Sequence, residues 1–138
     1  MIEPYDQNYR PSAPSLTIRL YSFLQDRYSE SFPALIDTGS DGTLIPLHRL
    51  AAIGAEESAP AWITGVTGDR RPVATYYIDI ALGDVLIPGV RVIAATARNE
   101  TLLGRDVLNR LSLFLDGPWQ SLQIPSDALV NRLRSSAR

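Results

Sequence analysis

Cysteine and lysine are both missing from this chain of 138 residues. Without cysteine there is no disulfide framework, no thiolate nucleophile and no thiolate metal ligand. All 13 basic residues are arginine. That excludes a Schiff-base lysine and a phosphate loop of the lysine-bearing kind. Histidine occurs once, as His48, so a zinc site built on several His or Cys ligands is not available within one chain. Any Ser-His-Asp arrangement would depend on that single residue. No apolar run approaches the ~18 residues of a membrane-spanning helix. The N-terminal MIEPYDQNYRPSAPS lacks a basic region followed by an apolar one, so no signal peptide is expected and the expected location is the cytoplasm. A net charge of −2 without a basic cluster gives no reason to expect nucleic acid or a membrane as partner. No cofactor or metal is expected. By elimination, hydrolytic chemistry in this chain points to carboxylates.

What is present reads as one mostly β domain. The length suits a single domain, and 45% hydrophobic with 20% charged residues is an ordinary globular balance. Residues 1–13 are polar and proline-bearing and read as a flexible N-terminal arm. SLTIRLYSFL alternates Leu16, Ile18 and Leu20 with Thr17 and Arg19, the period of a half-buried strand. DRYSES reads as a turn and FPALID as a second strand. PLHRLAAIG reads as a short helix opened by Pro46 and closed by Gly54. EESAPA reads as a loop. WITGVTGDRRPVATYYIDIAL reads as a hairpin tipped by Thr67 to Arg70. A strand interrupted at Pro88-Gly89 follows, then a short helix from about Arg105 and a last hairpin turning at Asp116-Gly117-Pro118. Ser126 is an N-cap candidate for a C-terminal helix. The expected division is an arm at 1–13, a domain at 14–125, and a helix and tail at 126–138. Many short strands with two or three short helices predict an all-β barrel or sandwich.

The stretch PALIDTGSDGTLIP carries the chemistry. An apolar run ends on Asp37, and small polar residues follow. A calcium loop starting at Asp37 would need oxygen ligands at its third and twelfth positions, which are Gly39 and His48. An aspartyl nucleophile of the phosphatase kind would pair acids two residues apart, but Gly39 precedes Asp41 by two. Water activation fits better. A lone carboxylate, with a pKa near 4, is a poor base for amide hydrolysis, whereas two that share a proton can act as base and acid together. Gly39 then allows backbone to approach a ligand closely.

LIDTGSDGTLIP, with TLLGRDVL about 65 residues later, resembles the retropepsin-like aspartic proteases, the single-domain class that includes the retroviral enzymes. The resemblance runs from Leu16 to Phe114 and implies a closed acid-protease barrel acting as a homodimeric endopeptidase on polypeptide substrates. It implies Asp37 as the catalytic aspartate, Thr38 as the residue that reaches across the dimer, and Gly39 as part of the cleft. Arg105 would pair with Asp41 to brace the loop, and Val66, Thr67, Gly68 and Asp69 would form the flap over substrate. The chain has one Asp-Thr-Gly, so a dyad requires two copies related by C2 symmetry. Two features depart from the retroviral pattern: about 20 residues follow Trp119, and the flap tip carries Asp69, Arg70 and Arg71. The alternative reading is an inactive relative that binds peptides or serves as a dimerisation module.

Overall fold

The computed structural model describes residues 1–137. In chain order the elements are β1 (Ile2–Pro4), β2 (Ser15–Ser22), β3 (Arg27–Tyr28), β4 (Phe32–Ile36), β5 (Leu44–Pro46), α1 (Leu47–Ala52), β6 (Glu56–Thr64), β7 (Arg70–Leu82), β8 (Val85–Ala95), β9 (Leu102–Leu103), α2 (Arg105–Leu108), β10 (Phe114–Asp116), β11 (Ser121–Gln123) and α3 (Asp127–Ser136). The larger sheet runs β3-β2-β4-β9-β5-β8-β7-β6, and β2 also pairs with β7. That second pairing, Arg19↔Ala81 through Tyr21↔Asp79, closes the sheet on itself. A closed sheet leaves few open backbone edges, which suits a small β protein. A second sheet, β1-β11-β10, joins the two ends of the chain.

Alternation in the sequence becomes burial in the fold. Leu16, Ile18 and Leu20 of β2 are fully buried, while Thr17 and Arg19 face water. Each such side chain removed from water is worth about 1.5–3 kcal/mol. They meet Ile80 and Leu82 of β7, Val90 and Val92 of β8, Ile45 of β5 and Leu103 of β9 in one core. The β7–β8 hairpin turns at Gly83-Asp84, where Gly83 has φ +55°, a conformation that favours glycine. Among the described residues no helix is long and apolar enough to cross a membrane.

Four local expectations give way to the structure. The arm at 1–13 contains β1, which pairs with β11 from Ile2↔Gln123 to Pro4↔Ser121, and an isolated bridge joins Asp6 to Ala13. Pro4 ends β1 on the edge of that sheet, where a missing donor is tolerated. The turn at DRYSES holds the short strand β3. EESAPA is strand rather than loop: β6 starts at Glu56, and a bulge between the pairs Ser58↔Thr75 and Ala61↔Val73 accommodates Pro60. The interruption at Pro88-Gly89 is likewise a bulge in an unbroken strand. Between Ile78↔Val90 and Ile80↔Ile87, two residues of β8 face one of β7. Gly89 takes φ +61° there, and its N–H donates to the Asp79 carboxylate at 2.9 Å.

Candidate active site

Asp37 emerges directly from β4, whose last residues pair in parallel with β9 (Leu35↔Leu102, Ile36↔Leu103). Its N–H continues that ladder to the Leu103 carbonyl at 3.0 Å. The chain then turns sharply. Ser40 N–H donates to the Asp37 carbonyl at 3.2 Å, and Gly39 N–H donates to Asp37 Oδ1 at 3.0 Å. An aspartate that accepts from the backbone two residues on forms its own turn, so the carboxylate is fixed by the loop it starts. Asp37 is half-buried, and Thr38 and Gly39 are exposed.

The segment after β9 locks onto this loop. Arg105 N–H donates to the Ser40 carbonyl at 2.9 Å. Its guanidinium is shared: Nη1 donates to the Thr38 carbonyl at 2.7 Å, and Nη2 contacts Asp41 Oδ1. The fork is thus divided between a carbonyl and one carboxylate oxygen, rather than spent bidentately on Asp41. Asp41's side chain is 93% exposed, so the ion pair itself contributes little to stability. Its effect is to fix the loop from outside.

Beneath it lies a buried brace that the sequence reading did not single out. The Thr43 hydroxyl donates to Asp106 Oδ1 at 2.7 Å and accepts from Gly104 N–H at 3.0 Å. Thr43 N–H donates to Asp106 Oδ2 at 3.2 Å, and Val107 N–H to Asp106 Oδ1 at 2.9 Å. Asp106 therefore ties the active loop to the start of α2. Gly104 is where the two segments come closest. A Cβ there would lie 2.4 Å from the Gly42 carbonyl oxygen, so no larger residue fits. The Thr and Asp stood inside the two motifs, but nothing in their spacing reveals that the parallel alignment of β4 and β9 brings them together.

The hairpin of β6 and β7 stands over the loop. Gly65 N–H donates to the Asp69 carbonyl at 2.9 Å and Gly68 N–H to the Gly65 carbonyl at 3.0 Å. Gly68 has φ +84°, and Thr67 Oγ1 donates to Asp69 Oδ2 at 3.0 Å. Val66 at the tip is fully exposed. Between hairpin and loop is an open cleft of about 580 Å³, walled by Gly39 to Gly42, Leu44, Ile93 and the β6 residues Trp62 to Thr64. The hairpin residues that face the cleft are these, while Val66 to Asp69 project beyond it. Arg70 lies over the Trp62 ring at 5.3 Å. His48 is exposed on α1, and among the described residues no three His, Cys, Asp or Glu side chains gather as a metal would require.

The fold has counterparts among known proteins. A retropepsin-like aspartic protease from Rickettsia conorii superposes with a TM-score of 0.57 at 12% identity, covering 88% of this chain and 86% of that one. The EIAV protease, complexed with the inhibitor HBY-793, gives a TM-score of 0.54 at 20% identity, covering 78% of this chain and 93% of that one. These likenesses show a retropepsin-like fold. The Aspartyl protease family model matches residues 29–107, more than half of the sequence, and the chain belongs to that family. Comparison with curated protein sequences gives no match.

Proposed function

We propose that the protein is an aspartic endopeptidase that works as a C2 homodimer, each subunit contributing one Asp37 to a shared dyad. The observation that carries this reading is the setting of Asp37. Its carboxylate is held by Gly39 N–H on a loop clamped by Arg105 and braced through Thr43 and Asp106, and the chain has a single loop of this sequence. Rigid placement of a reacting group is what general acid–base catalysis needs. Two such carboxylates facing one another hold one proton between them. The ionised partner takes a proton from a water bound between them. The protonated partner donates to the scissile carbonyl, and the water oxygen attacks its carbon. The tetrahedral intermediate then collapses as the amine leaves with a proton.

In this reading Thr38 and Gly39, exposed on the loop, face the second subunit and the cleft. Val66 to Asp69, which project past the cleft of their own chain, close over substrate and exclude water. The polypeptide lies along the cleft beneath Trp62 and Ile63. Asp41 and Arg105 act by positioning. The folded unit is the barrel together with the β1-β11-β10 sheet that ties residues 1–13 to it, and α3 is appended at its C-terminal side; the last position of the tail expected at 126–138 lies outside the described residues. The test is cleavage of an unstructured polypeptide from about pH 3 to 7, a range set by the shared-proton mechanism, beside Asp37→Asn and Asp37→Ala. Cleavage lost in both variants, and blocked in the parent by a statine inhibitor, is expected. Cleavage that both variants retain overturns the reading.

A further inference from the structure

A second cavity, of about 340 Å³, adjoins the cleft and shares Leu44, Ile63 and Ile93 with it as a common wall. Its other walls are small or aliphatic, with Val73 from β7 and Ala94 and Ala95 from β8. Two arginines also line it, Arg71 from the hairpin and Arg98 from the loop after β8. No acidic side chain does. Arg71 lies directly across from Ile63 in the β6–β7 pairing and shares its face of β7 with Val73, whereas its neighbour Arg70 is engaged by Trp62. Among the described residues Arg71 makes no ion pair. Arg98 approaches Glu100 only at 3.9 Å, and the other oxygen of Glu100 accepts from the Tyr9 hydroxyl at 2.6 Å. Both guanidiniums therefore keep free donors beside an apolar hollow that opens next to the cleft.

We infer that this cavity is a specificity subsite for an acidic side chain of the bound polypeptide, glutamate above all, with its methylenes against Val73 and the alanines and its carboxylate between Arg71 and Arg98. The chemistry is that of two forked donors, Arg71 without an ion pair and Arg98 reached by one carboxylate oxygen of Glu100 at 3.9 Å. Aspartate is too short to use the aliphatic wall and the arginines together, so it ranks between glutamate and glutamine. The inference rests on the peptide-cleaving reading, and its test separates the two.

Peptides that differ only by Glu or Gln at each successive position are titrated against the Asp37→Asn protein, so that binding is read without turnover. One position is expected to favour Glu by about fivefold at low salt, the scale of a partly exposed pair of charge contacts. That ratio should shrink toward one in Arg71→Gln with Arg98→Gln, and at high salt. No position favouring Glu, no binding of any peptide, or a Glu preference that survives the double substitution overturns the subsite. The same peptides are then given to the wild-type protein. Asp37-dependent cleavage without a Glu preference removes the subsite alone. Arginine-dependent Glu binding with no cleavage of any peptide removes the endopeptidase reading and leaves the subsite standing.

Discussion

Replacing Thr43 by valine keeps the shape of the side chain and removes only its hydroxyl. Thr43 is fully buried, so water does not replace what is lost. Gly104 N–H loses its acceptor, and Asp106 Oδ1 loses one of the two donors it has in Thr43 and Val107. Asp106 Oδ2 keeps its bond from Thr43 N–H, because that donor is backbone. A buried N–H left unpaired costs about 1–3 kcal/mol, and a hydrogen bond to a charged group contributes about 1.5–3 kcal/mol. The buried methyl that valine adds offsets part of this, at about 0.8 kcal/mol. The net expectation for Thr43→Val is a loss of about 2–4 kcal/mol, which for a domain of this size lowers Tm by roughly 10 °C. Thr43→Ser keeps both hydrogen bonds and loses one methyl, about 1 kcal/mol. Thermal unfolding of the two variants separates the hydroxyl from the packing. A valine variant as stable as the serine variant would refute the claim that this hydroxyl joins the two loop segments.

Three further outcomes follow from the same geometry. Gly104→Ala places a Cβ 2.4 Å from the Gly42 carbonyl oxygen, and overpacking against backbone should cost about 1–3 kcal/mol or more, read as a lowered midpoint in denaturant. Arg105→Lys replaces a fork that reaches both Thr38 and Asp41 by a single ammonium; kcat/KM should fall by about tenfold or more through misplacement of the loop, while Tm moves by less than about 3 °C because the contacts are exposed. Tyr9 donates to Glu100 at 2.6 Å, and that hydrogen bond, with burial and the Glu100 and Asp6 charges, pushes its phenol up to about 12 from 10.0. The folded chain thus holds this proton more tightly than the unfolded one, and the resulting stability is intact below pH 10.0 and lost as pH rises through about 12. Comparing Tm of the wild type and Tyr9→Phe across that range should show the wild-type advantage disappear at the alkaline end.

Much of the barrel was legible because its strands alternate. Leu16, Ile18 and Leu20 announce β2, and glycine marks the turns at 68 and 83. The elements misread were those where backbone topology overrides local composition. Pro60 and Pro88 look like strand breakers, yet each falls at a bulge where one strand carries an extra residue. The start of the chain looks like a loose arm because β1 is three residues long, and its partner, β11, lies at the other end of the sequence. At the site, Asp37, Asp41 and Arg105 stood out as motif residues, and the structure brings the last two together. Asp106 did not stand out in the sequence, because its importance comes from Thr43, a contact that spans 63 positions. The Arg71 and Arg98 cavity was illegible for the same reason, since no sequence spacing aligns a hairpin residue with the loop after β8.

The central claim is that one carboxylate from each of two chains makes the reacting pair, and mixing tests it most directly. Wild-type and Asp37→Asn chains are combined in equal amounts, allowed to exchange subunits, and assayed on an unstructured polypeptide. If both aspartates are required, random pairing leaves about a quarter of the dimers active, so activity falls to about half of what the wild-type chains give alone. Activity that stays at the level of the unmixed wild-type chains, or activity from a strictly monomeric species in sedimentation, would contradict a shared dyad.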